Sequence, residues 1–178
     1  GDQSLFHKHV LDSVIVTAHG AKIRVEKLGE PQALIFQAET GRLIFGDFQS
    51  HALIHRVANI DDHPVVFIDC EVGVPQSGQF GTPDRSGAPA YVSEIDNERI
   101  RAWRMKLEPG QSVPSITQSG PGVRVVLSGD QFKETVQGAP DRDVRVQQGN
   151  YEWQPAGKTR AITNIGNAPL ELVEFEVK

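Results

Sequence analysis

The chain has 178 residues, of which 38% are hydrophobic and 23% charged, with a formal net charge of -5. That is an ordinary globular composition, enough for one medium domain or two compact ones of about 90 residues each. With no basic block, nucleic acid is excluded as an expected partner, and no apolar run approaches the roughly 20 residues of a membrane-spanning helix.

The chain begins at Gly1 rather than methionine. A leader removed upstream would place the protein in a periplasm or outside the cell; otherwise the cytoplasm is expected. Short β-branched or aromatic runs bounded by glycine or charged turns predict strands over 13–16, 22–25, 43–45 and 53–57. The helix formers of 31–40 make too short and uncapped a stretch to predict a helix. An apolar run over 65–72 holds Cys70, the only cysteine, so no intrachain disulfide forms and a quiet buried thiol is expected. Residues 73–89 are rich in Gly, Pro and Ser and lack periodicity, which reads as a linker or exposed loop. Beyond it, strands are predicted over 100–107, 122–127, 143–146 and 170–177. Many short strands without strong helices imply an all-β sandwich or barrel.

The segment from His55, HRVANIDDHPVVFIDCEV, lies without gaps on RAITNIGNAPLELVEFEV from Arg160. Asn59 meets Asn164, Pro64 meets Pro169, and Glu71-Val72 meets Glu176-Val177. Each copy reads as strand, polar turn and strand, which predicts a duplicated unit. The first unit then covers 1–73, the linker 74–89 and the second unit 90–178.

All six histidines lie at or before position 63. His7 and His9, two apart, share one face of a strand, and His51 and His55 share a face by the same parity. An inward His-x-His with one histidine from a facing strand makes a three-nitrogen set suited to Fe, Mn, Ni, Cu or Zn with open positions. His51 reads as a pocket or surface residue, while His19 and His63 sit at turns.

These residues resemble the cupin superfamily, whose first motif runs G-x5-H-x-H-x3or4-E-x6-G and whose second runs G-x5-P-x-G-x2-H-x3-N. HKHVLDSVIVTAHG matches the first from His7 to Gly20, with Ser13 on the glutamate place and Asp12 one residue before it. His55 to Asn59 keeps the final His-x3-Asn of the second, with Ser50-His51-Ala52 in place of Pro-x-Gly. In the second unit, Pro109-Gly110 opens the first motif, Ser115 and Thr117 fall on the His-x-His places, and Gly122 falls on the glutamate place. Gly149, Pro155, Gly157, Arg160 and Asn164 then reproduce the second motif's spacing, with arginine replacing histidine.

The resemblance implies two cupin-type jelly-roll β-barrels in tandem, the second without metal ligands. It implies His7, His9 and His55 as ligands of a divalent transition metal. Asp12 is a further ligand only through a bulge or carboxylate shift, since parity argues against a regular strand delivering it. Arg160 either holds a ligand's carboxylate or phosphate or makes a structural ion pair with a barrel carboxylate such as Glu152 or Glu171. Tyr151 and Trp153 share a strand face and read as packing. A cupin barrel has a strand or two before its His-x-His, whereas six residues precede His7; either the native chain is longer, or a strand from the other unit or from another subunit completes the barrel, the last of which would make a homodimer.

Two functions follow from the resemblance. One is a metal-dependent enzyme acting on a small polar molecule, of dioxygenase, isomerase or decarboxylase type, with His51 and Asp12 as the only candidates for a general base. The other is a non-catalytic module that binds a metal or small ligand. Metal-free sugar-nucleotide isomerisation ranks last, because Tyr91 and Tyr151 both lie in the unit without histidine.

Overall fold

The computed structural model describes residues 1–73, 85 and 87–178, and divides into two compact units, Gly1–Val74 and Pro75–Lys178. Among the described residues the structure is all-β, with sixteen strands; no helix is long and apolar enough to cross a membrane.

The first unit contains β1 (His7–His9), β2 (Asp12–His19), β3 (Ala21–Lys27), β4 (Leu34–Ala38), β5 (Leu43–Gly46), β6 (Leu53–Asn59) and β7 (Val66–Val72). They form a four-stranded sheet, β1-β6-β3-β4, and a three-stranded sheet, β5-β2-β7. Pairing is antiparallel throughout, so residues directly opposite one another share a face. Val14, Val16, Ala18, Ala21 and Ile23 are buried, whereas Leu34, Ile35 and Phe36 on edge strand β4 are largely exposed. β4 lies inside the stretch of helix formers at 31–40. Pairing with β3 decides its conformation, because local helix propensity is weak beside a row of ladder bonds.

The second unit contains β8 (Tyr91–Asp96), β9 (Ile100–Leu107), β10 (Ser112–Thr117), β11 (Gly122–Ser128), β12 (Gln131–Val136), β13 (Arg142–Arg145), β14 (Tyr151–Gln154), β15 (Thr159–Asn164) and β16 (Leu170–Val177). Its sheets are β10-β15-β12-β13 and β14-β11-β16-β9-β8. Strand for strand this repeats the first unit, with β9 and β8 added beyond β16. In the first unit, β7 occupies the place of β16 and ends its sheet. Trp103, Met105, Leu107, Phe132, Ile162, Leu170 and Leu172 form a closed apolar core.

Of the segment read as a linker, 74–84 and 86 lie outside the described residues. Arg85 and Ala88 are buried in the second unit, so its packing begins before residue 90. The motif glycine Gly157 has a φ of 81°, a left-handed turn conformation that disfavours any side chain with a Cβ. Gly122 is needed for a different reason: a β-carbon there would overlap the carbonyl oxygen of Phe175 on the neighbouring strand.

Candidate metal centre

β1 is only three residues long, but its pairing with β6 sets His7 directly opposite His55 and His9 opposite Leu53. The strand period of two then turns His7 and His9 toward the same side as His55. The three rings lie 4.5 to 5.0 Å apart between centroids. One ring nitrogen from each lies within 4.8 Å of the others, and Nε2 of His9 stands 3.0 Å from Nε2 of His55. Two nitrogens bound to one ion at about 2.0–2.1 Å are themselves roughly 3 Å apart, so this donor set fits a divalent transition metal.

The outer ring atoms are arranged unequally. His7 Nδ1 donates to the carbonyl of Leu5 at 3.0 Å, leaving its Nε2 as the lone-pair nitrogen. His9 is buried, packs against Phe48 at 4.8 Å between centroids, and turns Nδ1 toward the carboxylate of Asp69 at 3.7 Å. His55 Nδ1 is a buried atom with no hydrogen-bond partner. Burial, then the nearby charges of His7, His9 and Lys27, push the His55 imidazole down to about 4. It is therefore neutral at physiological pH, the form a metal requires.

Asp12 opens β2, is buried, and accepts a hydrogen bond from the backbone N–H of Gln49 at 3.0 Å. It stands outside the three-histidine group. Ser13, on the family's glutamate place, is fully buried with its hydroxyl directed at the Leu11 carbonyl. His51 does not share a strand with His55, because β6 starts only at Leu53. It sits in the preceding turn, is exposed, and pairs with Asp47 at 3.1 Å.

A second group, Asp61, Asp62 and His63, serves the turns instead. His63 Nδ1 faces Asp62 at 3.0 Å while its Nε2 faces the Gly20 carbonyl at 3.1 Å. With both nitrogens facing acceptors, and its affinity for protons raised first by the hydrogen bond to Asp62, the ring clamps two turns together.

The equivalent interior of the second unit is filled by ion pairs. Arg160 is 1% exposed and donates to Glu174 at 3.0 Å and Gln118 at 3.1 Å. The structural ion pair is therefore present, made with Glu174 and, at 3.8 Å, Glu134 instead of the example residues Glu152 and Glu171. Arg124 donates to Glu174 at 2.8 Å and Glu134 at 2.9 Å, and Arg85 to Glu174 at 2.6 Å and Glu176 at 2.9 Å. Burial alone would raise the Glu174 carboxyl, but Arg160, Arg124 and Arg85 outweigh it and hold the group well below its usual range. Three guanidiniums and three carboxylates balance in charge, so Arg160 is committed inside the protein.

The register also corrects the sequence correspondence. A bulge between Val113 and Ile116 shifts β10 by one, so Ile116, not Ser115, lies opposite Arg160 as His7 lies opposite His55. Gln118, buried and bonded to Arg160, takes the place of His9, while Thr117 points outward to Thr159. Tyr151 and Trp153 are exposed.

Asp69 is the residue that sequence reasoning missed. The repeat sets it on Glu174, and the two occupy the same register: Asp69 lies opposite Ile15 on β2 as Glu174 lies opposite Arg124 on β11. The acidic residue kept at this place in both copies was an available signal, although Glu71 and Glu176 give the same one.

No protein-family model matches the sequence, and no curated protein matches it. Solved structures do. AerE from Microcystis aeruginosa aligns over 99% of this chain and 82% of its own, with a TM-score of 0.62 and 10% identity. A variant of salicylate 1,2-dioxygenase from Pseudoaminobacter salicylatoxidans aligns over 98% of this chain and 66% of its own (TM-score 0.63, 12% identity). A variant of the oxalate decarboxylase of Bacillus subtilis aligns over 98% and 65% respectively (TM-score 0.62, 15% identity). The chain thus spans just under two thirds of the dioxygenase and decarboxylase chains. At these identities the likeness concerns the fold, and the two-unit β architecture is the part that is shared. The chain therefore has the all-β fold of these proteins.

Proposed function

We propose that the first unit is a metal centre, with His7, His9 and His55 holding a divalent transition ion (Fe, Mn, Ni, Cu or Zn), and that it acts as an enzyme on a small polar molecule of the dioxygenase, isomerase or decarboxylase type. The observation that carries this reading is the convergence of three imidazole nitrogens within 4.8 Å of one another. Bound there, such an ion supplies Lewis-acid, templating or redox chemistry. The chain's own residues prepare the place. The Leu5 carbonyl holds the His7 proton on Nδ1, burial keeps His55 neutral, and Phe48 covers one face of His9. Lys27 lies opposite His55 on the same face of the sheet, a positive charge that favours an anionic group on the substrate.

A binding module without catalysis is the second reading, favoured by Ser13 standing where the family has glutamate and by the second unit's interior of ion pairs. A homodimer belongs to the proposal as well, since β7 ends its sheet where β16 is continued by β9 and β8, and a strand from a second copy can pair there.

The test is the metal content of protein purified without a histidine tag, beside a His7→Ala/His9→Ala variant. Near-stoichiometric metal in the parent and none in the variant supports the centre. No metal in either, even after soaking with divalent ions, sinks it. Turnover then separates the enzyme from the binding module, and sedimentation tests the dimer.

A further inference from the structure

The geometry points to Asp69 as the positioning carboxylate of the histidine centre, acting on the metal site through His9; this rests on the metal reading given above. His9 has two ring nitrogens with different surroundings. Its Nε2 stands 3.0 Å from Nε2 of His55, inside the donor cluster, while its Nδ1 faces Oδ2 of Asp69 at 3.7 Å. The distance is that of an electrostatic pair rather than a direct hydrogen bond. Its effect is still directional, because His9 is buried and little water competes for that nitrogen. A negative charge beside Nδ1 favours the tautomer with its proton there, which leaves the Nε2 lone pair turned toward His7 and His55.

Three observations single out Asp69. The other acidic candidate, Asp12, takes its hydrogen bond from the Gln49 backbone, and Ser13 offers only a buried hydroxyl. His7 already has its outer nitrogen fixed by the Leu5 carbonyl, so His9 is the other ring of β1 in need of an orienting acceptor. Finally, the duplication shows what this strand position does. Its counterpart Glu174 neutralises Arg160, which stands where His55 stands, and Arg124, which stands where Ile15 stands. In the first unit Ile15 provides no cation, and the carboxylate at the same position turns to His9.

The experiment uses the full chain and titrates Zn²⁺ against a chelator, with Co²⁺ absorption as a second readout, in the parent, Asp69→Asn, Asp69→Ala and His7→Ala/His9→Ala. The expected result is metal affinity lower by roughly 10- to 100-fold in Asp69→Ala and by less in Asp69→Asn, which keeps an acceptor but no charge. The Co²⁺ bands stay in place, and the metal-free melting temperatures match the parent's, which a purely structural role would not allow. Parent-like affinity in both Asp69 variants, with binding lost in the histidine variant, overturns the Asp69 role and leaves the centre standing. Co²⁺ bands altered as by a lost ligand also overturn it, making Asp69 a direct ligand. A parent that binds neither ion overturns both the centre and the inference.

Discussion

Asn59 and Asn164 make the same pair of hydrogen bonds, one in each unit. Each side-chain N–H donates to the carbonyl four residues on, at 2.8 Å to His63 and 2.9 Å to Ala168. Each side-chain oxygen accepts from the backbone N–H two residues on, at 3.0 Å from Asp61 and 3.0 Å from Gly166. The turn between the last two strands of each barrel is therefore built by one asparagine, which explains why the repeat keeps it. Asn164 is fully buried and donates once more, to Leu107. Asn164→Ala is expected to cost about 1–3 kcal/mol and Asn59→Ala less, since water replaces part of what the half-buried residue loses. Denaturant unfolding of both variants checks this, and equal losses would contradict it.

Acid should destabilise the second unit through its buried carboxylates. Glu174 and Glu134 are both held below the ordinary glutamate value of 4.5 in the folded protein. The unfolded chain consequently binds more protons as the pH falls through that value. Their contribution is present above about pH 4.5 and is lost progressively below it. Melting temperatures of the parent should decline through this range, and those of Glu174→Gln should decline less steeply. Parallel slopes would mean that Glu174 does not govern the acid response.

Restoring a histidine to the second barrel should not restore a metal site. In Arg160→His the new ring would face Ile116 and Gln118, neither of which supplies a second imidazole. Glu174 would also lose one of its three guanidinium partners, at a cost of up to about 3 kcal/mol. Metal analysis in the His7→Ala/His9→Ala background should find no bound ion and a lowered melting temperature. A stoichiometric ion there would refute this account of the ligand loss.

The tandem arrangement could be read from the sequence because turns leave strong marks: Asn59, Pro64 and their partners keep one register across the copies. What lay beyond reach depends on contacts between distant strands. The helix formers of 31–40 predicted neither helix nor strand, because the pairing of β4 with β3 is invisible locally. His51 appeared to share a face with His55 because parity arguments assume that a strand continues, and the turn at Asp47 interrupts it. The correspondence of Ser115 and Thr117 with His7 and His9 failed on a single extra residue, since a bulge leaves no mark on motif spacing. Arg85 was hidden in a Gly- and Pro-rich stretch whose composition resembles exposed loop, yet its charge is bound by Glu174 and Glu176.

Gly122 closes one position of the second unit to every side chain. At this place the adjoining strand lies so close that the Phe175 carbonyl oxygen occupies the ground a β-carbon would need. A glutamate at 122 would first require β16 to retreat, and β16 is pinned on its other side by eight paired residues of β9. The second unit can therefore vary its side chains around this place, whereas any residue larger than glycine at 122 demands a shift of paired strands.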